Sequence, residues 1–146
     1  MPGSYKHVLL TTDLTPDSEV VAQKAAEIAK LYNAKLSIFH AVQEPRMFYG
    51  GGEFAVPVDL GLEEDIEQAA RRELNKQAEK FEIGPADRWL EIGLTKESIL
   101  NIVQQLNIDL LVIGNHEAQG LAFLFGSVTD AIMHKISCDV LAVRLK

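Results

Sequence analysis

Apolar residues follow two alternating patterns along the chain, short continuous runs and longer stretches with helical spacing. The runs are typical of strands that are buried on both faces, and they lie at about residues 5–12, 35–42, 88–92, 110–113 and 139–145. The stretches with helical spacing predict helices at about residues 15–32, 62–81, 95–106 and 127–136. This alternation predicts an α/β fold of three layers, in which helices cover both faces of an open, parallel, five-stranded sheet.

Local signals refine the first two helices. Thr15 is expected to cap the first helix with Pro16 at its first position, and Asn33 is expected to end it in a left-handed conformation. In the second helix the apolar side chains are expected to face the core; they are Leu62, Ile66, Ala69, Leu74, Ala78 and Phe81. Residues 43–61, rich in glycine and proline, predict a long loop that covers a cleft or contacts a partner.

The composition narrows the classes of protein. A chain of 146 residues with 47% hydrophobic and 24% charged residues is expected to form a single domain over residues 1–146, with residues 1–4 a cloning remnant or disordered. The apolar runs are too short for a membrane span, and the single cysteine favours a cytoplasmic location. A net charge of −7 with scattered Lys and Arg argues against nucleic acid as a partner.

Ligands of parallel sheets bind where the strands end. Asp13, Ala41 and Gly114 are expected at such ends, and Gly126-Ser127 is expected to open the fourth helix. The first amides of a helix lack internal partners, and they carry the positive end of the helix dipole. This arrangement predicts a phosphate site at residues 126–129.

With these residues in place, the whole chain resembles the universal stress protein family, which has the adenine nucleotide α-hydrolase-like fold. The resemblance rests on sequence features spread over the whole chain, which are residues 5–10 leading to Asp13, His40-Ala41-Val42, Gly93, residues 109–114 and Gly126-Ser127-Val128. It implies a sheet of order 3-2-1-4-5 and a homodimer paired through the last strand, around residues 140–143. In one subgroup it also implies bound ATP. A regulatory protein partner is expected if the chain is a stress-response protein.

The resemblance, together with the strand ends, assigns a nucleotide site to Thr12, Asp13, Ala41, Val42, Gly114, His116, Gly126, Ser127, Val128 and Thr129. The ATP-binding subgroup has Gly, two residues, Gly, nine residues, then Gly-Ser or Gly-Thr. Here Glu117 replaces the second glycine, and only eight residues separate it from Gly126. Because a carboxylate repels a triphosphate, ATP is expected to bind weakly at most.

Several interpretations remain open at this stage. Asp13 either accepts hydrogen bonds from the ribose or holds the turn at Thr15. His40 and His116 lie near the expected cleft without the spacing of a metal site. The main functional hypothesis is a non-enzymatic stress-response protein, and the alternative is an ATP-binding or ATP-hydrolysing protein of the same fold. A flavodoxin-like or receiver protein is disfavoured, because the first turn lacks glycine and the third strand lacks an acceptor aspartate.

Overall fold

The structure, a computed structural model, describes residues 4–42, 60–93, 95–116 and 134–145. Its five strands are β1 (His7–Thr11), β2 (Lys35–Val42), β3 (Arg88–Ile92), β4 (Leu110–His116) and β5 (Asp139–Leu145). The helices are α1 (Ser18–Tyr32), α2 (Leu60–Lys80) and α3 (Thr95–Leu106), with a 3-10 turn at Pro85–Asp87. All strand pairs are parallel and the order is β3-β2-β1-β4-β5, which confirms the predicted fold and topology.

Alternate residues of the central strands supply the two halves of the core. One face packs against α1 and the C-terminal part of α2, and its buried residues include Val8, Leu10, Ile38, Val112, Val21, Ala25, Leu74 and Ala78. The other face packs against α3, and its buried residues include Leu9, Phe39, Leu111, Ile99, Ile102 and Val103. Because both faces are covered, the strands are apolar without alternation, as the sequence pattern indicated.

Several predicted boundaries and contacts need correction. Strand β1 is shorter than predicted, and β4 continues past Gly114 to His116. Helix α2 begins at Leu60, and within it Ala69 is exposed rather than directed at the core. None of the side chains of residues 65–73 is fully buried, whereas Leu74 and Ala78 are. An apolar stripe identifies the inward face of a helix but not how much of its length lies against the sheet.

The first turn of α1 also differs from the prediction. Thr15 does not cap the helix, because its hydroxyl donates to Asp13. The amides of Ser18 and Glu19 instead donate to the carbonyls of Thr15 and Pro16, three residues earlier, so the chain enters α1 through a tight turn. At the other end Asn33 has φ 54°, and its left-handed conformation is confirmed.

Within the part of the chain that the structure describes, no helix is long and apolar enough to cross a membrane. Most of the predicted fourth helix lies outside the described residues. His134 and Lys135, near its predicted end, are described and are helical. Of the loop predicted over residues 43–61, residues 43–59 also lie outside the described residues, whereas Leu60 and Gly61 belong to α2 and not to a loop.

Candidate functional site

The candidate site lies at the edge of the sheet formed by the C-terminal ends of the strands. Strand β1 pairs with β2 on one side and with β4 on the other, so the strand order reverses direction between β1 and β4. In parallel sheets the connections on the two sides of such a point lead away from each other, and ligands bind in the crevice that this leaves above the strand ends. The structure therefore brings the ends of β1, β2 and β4 together, as predicted from the sequence.

The end of β1, at Thr11 and Thr12, is anchored to both neighbouring strands. The Thr12 amide donates to the carbonyl of Phe39 on β2 at 3.0 Å. The preceding Thr11 hydroxyl donates to the carbonyl of Val112 on β4 at 3.3 Å. The Thr12 side chain is buried, and its hydroxyl oxygen accepts the amide of Leu14 at 3.0 Å. Thr12 therefore helps to hold the end of β1 in place beside the candidate site.

Asp13 follows Thr12 and organises the turn that leads to α1. Its Oδ1 accepts the Thr15 amide at 3.0 Å and the Thr15 hydroxyl at 2.6 Å. This is the local turn that was one of the two interpretations of Asp13. Since a carboxylate has about four acceptor positions, these two bonds are compatible with further hydrogen bonds to a sugar.

His40, near the end of β2, contacts the same turn. Its Nδ1 lies 2.7 Å from the carbonyl oxygen of Thr12. Because a carbonyl only accepts, Nδ1 must carry the hydrogen. Burial lowers the pKa of His40 below its usual value, against smaller raising effects of this bond and of Asp13. The sequence places His40 within the family resemblance and near the expected cleft, but it does not indicate the bond to Thr12. The available signal is a polar residue near the end of an apolar strand.

Ala41 and Val42 form the end of β2 beside this turn. Ala41 is half-buried against the α3 side of the core, and Val42 is buried. The carbonyl of Val42 accepts the amide of Gly93 at 3.0 Å, where the chain leaves β3. Gly93 has φ +155°, which side chains rarely adopt, so glycine suits this position. The backbone at the end of β2 is thereby held by the residue that follows β3.

Gly114 lies inside β4 and is closely packed. A Cβ atom there would lie 3.0 Å from Val21 Cγ2 and 3.0 Å from Leu145 Cδ1. The backbone of His116 ends the strand two residues later. The remaining predicted site residues, Gly126, Ser127, Val128 and Thr129, lie outside the described residues, as does Glu117. The phosphate half of the predicted site therefore remains a sequence prediction.

Over residues 4–42, 60–93, 95–116 and 134–145, no group of three or more His, Cys, Asp or Glu side chains is placed to hold a metal ion. His40 donates instead to the backbone carbonyl of Thr12. This edge offers a ligand the carboxylate of Asp13, which accepts hydrogen bonds and suits the hydroxyls of a polar small molecule.

Comparison with known proteins identifies the family of the chain. The model of the Universal stress protein family matches residues 4–144, nearly the whole chain. The chain belongs to the universal stress protein family. It is similar to Universal stress protein A homolog 1 of Coxiella burnetii, with 40% identity over 143 residues that cover 97% of this chain and 98% of that protein. The resemblance inferred from the sequence is confirmed.

Solved structures agree with the fold. The chain is similar to the hypothetical protein MJ0577, with a TM-score of 0.76 and 21% identity, over 98% of both chains. It is also similar to a universal stress protein solved in complex with cAMP, with a TM-score of 0.63 and 23% identity, covering 97% of this chain and 98% of that one. At identities of 21% and 23%, these two similarities show a shared fold and nothing further.

Proposed function

We propose that this universal stress protein family member is a non-enzymatic stress-response protein with a weak adenine nucleotide site at the C-terminal edge of its sheet. The observation that carries the proposal is the position of Asp13, at the end of β1 beside the end of β2. A relative of the same fold was solved with cAMP, so a nucleotide on this architecture is chemically reasonable. ATP is the candidate ligand of this chain.

The proposed ligand contacts divide between two chain segments. Asp13 would accept hydrogen bonds from ribose hydroxyls, while the backbone at Ala41 and Val42 would meet the base. Both segments are held in place without a ligand, since Thr12 bonds to β2 and Val42 bonds to Gly93. A site whose backbone is already ordered loses less entropy on binding. The phosphates would reach residues 126–129, where Glu117 in the preceding sequence weakens binding.

The assembly belongs to the same proposal. Strand β5 is the terminal strand of the described sheet, and terminal strands offer backbone groups to a second strand. We propose that two copies pair through residues 140–143 as a cytoplasmic homodimer, and that the dimer engages a regulatory protein partner.

An NMR titration tests the site. Adding ATP to the ¹⁵N-labelled chain should shift the amide signals of Thr12, Leu14 and Val42, but not those in α2. Asp13→Asn is the informative variant, because its amide oxygen still accepts from Thr15 while the negative charge is lost. It should weaken the response roughly tenfold.

Two results would contradict the proposal. The absence of shifts with ATP, ADP or cAMP at millimolar concentration would exclude a nucleotide site. Steady release of phosphate from ATP, abolished by a site substitution, would favour the alternative of an ATP-hydrolysing protein.

A further inference from the structure

The turn that carries Asp13 contains a strained residue. Leu14 has φ 61°, a left-handed conformation that costs a branched apolar residue free energy. Such a residue persists only where its surroundings hold it, and held strain is concentrated at functional sites. The turn is closed internally by three hydrogen bonds, in which Leu14 donates to Thr12 and Thr15 donates twice to Asp13.

Strand β2 holds this turn from outside through both backbone groups of Thr12. Phe39 accepts the Thr12 amide at 3.0 Å, and His40 donates through Nδ1 to the Thr12 carbonyl at 2.7 Å. The carbonyl of Thr12 belongs to the peptide group that joins it to Asp13. Fixing that peptide plane fixes the direction in which Asp13 leaves the strand. The first bond continues the sheet, whereas the second depends on one side chain.

We propose that His40 is a positioning residue, which holds the Asp13 turn and thereby sets how strongly the site discriminates in favour of nucleotides with ribose hydroxyls. The discrimination rests on the proposed nucleotide function, whereas the positioning of the turn does not. Burial keeps the imidazole mainly neutral at pH 7, and neutral His40 in its Nδ1-protonated form makes the required bond.

Two variants separate the hydrogen bond from the packing of the ring. His40→Asn places an amide Nδ2 close to the position of the imidazole Nδ1, so it can still donate to Thr12. His40→Leu keeps an apolar volume but has no donor. Thermal unfolding of both variants checks that each is folded at the temperature used.

The first measurement needs no ligand. Amide hydrogen exchange at Leu14 and Thr15 should be at least roughly tenfold faster in His40→Leu than in the natural chain, because the turn opens more often. Exchange at Leu111 and Val112, in β4, should stay within about twofold, and His40→Asn should restore slow exchange in the turn. Unchanged exchange in His40→Leu overturns the proposal. Fast exchange in both variants also overturns it, since the ring and not the bond would then matter.

The second measurement compares ATP with 2′,3′-dideoxyATP by NMR titration. The natural chain and His40→Asn should prefer ATP by about tenfold or more, the usual effect of hydrogen bonds to a charged group, and His40→Leu should show a ratio near one. An undiminished ratio in His40→Leu overturns the proposal. If the natural chain binds neither nucleotide while exchange behaves as expected, the proposed nucleotide function fails and the positioning of the turn by His40 stands.

Discussion

The structure explains Gly114 by close packing, whereas the sequence suggested a role in binding phosphate. The spacing of glycines favoured close approach of a phosphate, but the structure places Gly114 within β4, between Val21 of α1 and Leu145 of β5. Both of these side chains are buried, so neither can move away freely. The packing of α1 and β5 alone therefore accounts for glycine at this position.

Gly114→Ala should lower the free energy of unfolding by about 1–3 kcal/mol, because an added methyl group overpacks a dense core. The matched control is Gly84→Ala. Gly84 has φ −67° and no atom within 4 Å of a built Cβ, so alanine should be neutral there or stabilise by up to about 1 kcal/mol. Urea denaturation measures both, and equal effects of the two substitutions would contradict the packing explanation.

The imidazole ring of His7, at the opposite edge of the sheet, makes two hydrogen bonds. Its Nδ1 donates to the Leu106 carbonyl at 3.2 Å, and its Nε2 accepts the Ser37 hydroxyl at 2.7 Å. Burial is the main cause that lowers the pKa of His7 below its usual value of 6.5, and Lys35 lowers it further. Protonation at Nε2 would also force the Ser37 hydroxyl hydrogen, in a buried environment, to find another acceptor.

The lowered pKa values of His7 and His40 predict a loss of stability in acid. The unfolded chain binds more protons than the folded chain below about pH 6.5, so the free energy of unfolding should fall as the pH drops from 7.5 to 5. His7→Gln removes one of these two groups and should therefore make this fall shallower. Urea denaturation at a series of pH values gives the slopes; a slope unaffected by His7→Gln would refute the assignment.

At the scale of elements, α1, α2 and α3 all end in the same way. Each is followed by a residue in the left-handed conformation, Asn33 with φ 54°, Glu82 with φ 59° and Asn107 with φ 54°. After each of these the next amide donates to a carbonyl five residues earlier, as in Ile83 to Ala78 at 2.8 Å. This is the Schellman arrangement, in which glycine is usual and asparagine is tolerated.

Glu82 is therefore an unfavourable residue at its position. Glu82→Gly should raise the free energy of unfolding by about 1 kcal/mol, because glycine adopts positive φ without a steric cost. Glu79→Gly, at an exposed position inside α2, should lower it by about 1 kcal/mol. Thermal unfolding should place the two variants on opposite sides of the natural chain. A destabilised Glu82→Gly would show that the end of α2 differs from the one described.

These elements show what the sequence could and could not predict. Continuous apolar runs predicted all five strands, and the family resemblance predicted their order. Asn33 predicted the end of α1. Glu82 gave no such signal, since glutamate has no preference for positive φ. In the site, the predicted strand boundaries placed Asp13 and Ala41 correctly at the ends of two adjacent strands. The bond from His40 to Thr12 could not be predicted, because it depends on strand register and on a side-chain direction across two strands.

At the scale of the whole molecule, the proposed pairing of two copies would use the outer edge of β5. The Asp139 amide donates to the Asp109 carbonyl, so alternate residues 139, 141 and 143 direct their amides toward β4. The amide of Ala142 then points to the outer edge, and its side chain is exposed. This residue can be changed without removing a hydrogen bond of the described sheet.

Ala142→Pro should prevent dimerisation, because proline removes an outward donor while its φ remains compatible with an edge strand. Ala142→Ser keeps the amide and is the control. Analytical ultracentrifugation at micromolar concentration should find dimers for the natural chain and Ala142→Ser, and monomers for Ala142→Pro. A monomeric natural chain, or a dimeric Ala142→Pro variant with an unchanged association constant, would contradict pairing through β5.

We propose that the edge formed by β1, β2 and β4 binds adenine nucleotide and that Glu117 weakens this binding. Two like charges about 5 Å apart repel by roughly 3 kcal/mol at an effective dielectric of about 20, which corresponds to about a hundredfold in affinity before screening. Isothermal titration calorimetry with ATP on the natural chain and on Glu117→Gly tests the claim directly. We expect weak binding by the natural chain and binding up to about a hundredfold tighter by Glu117→Gly. Tight binding by the natural chain that Glu117→Gly does not improve, or no binding by either protein, would contradict it.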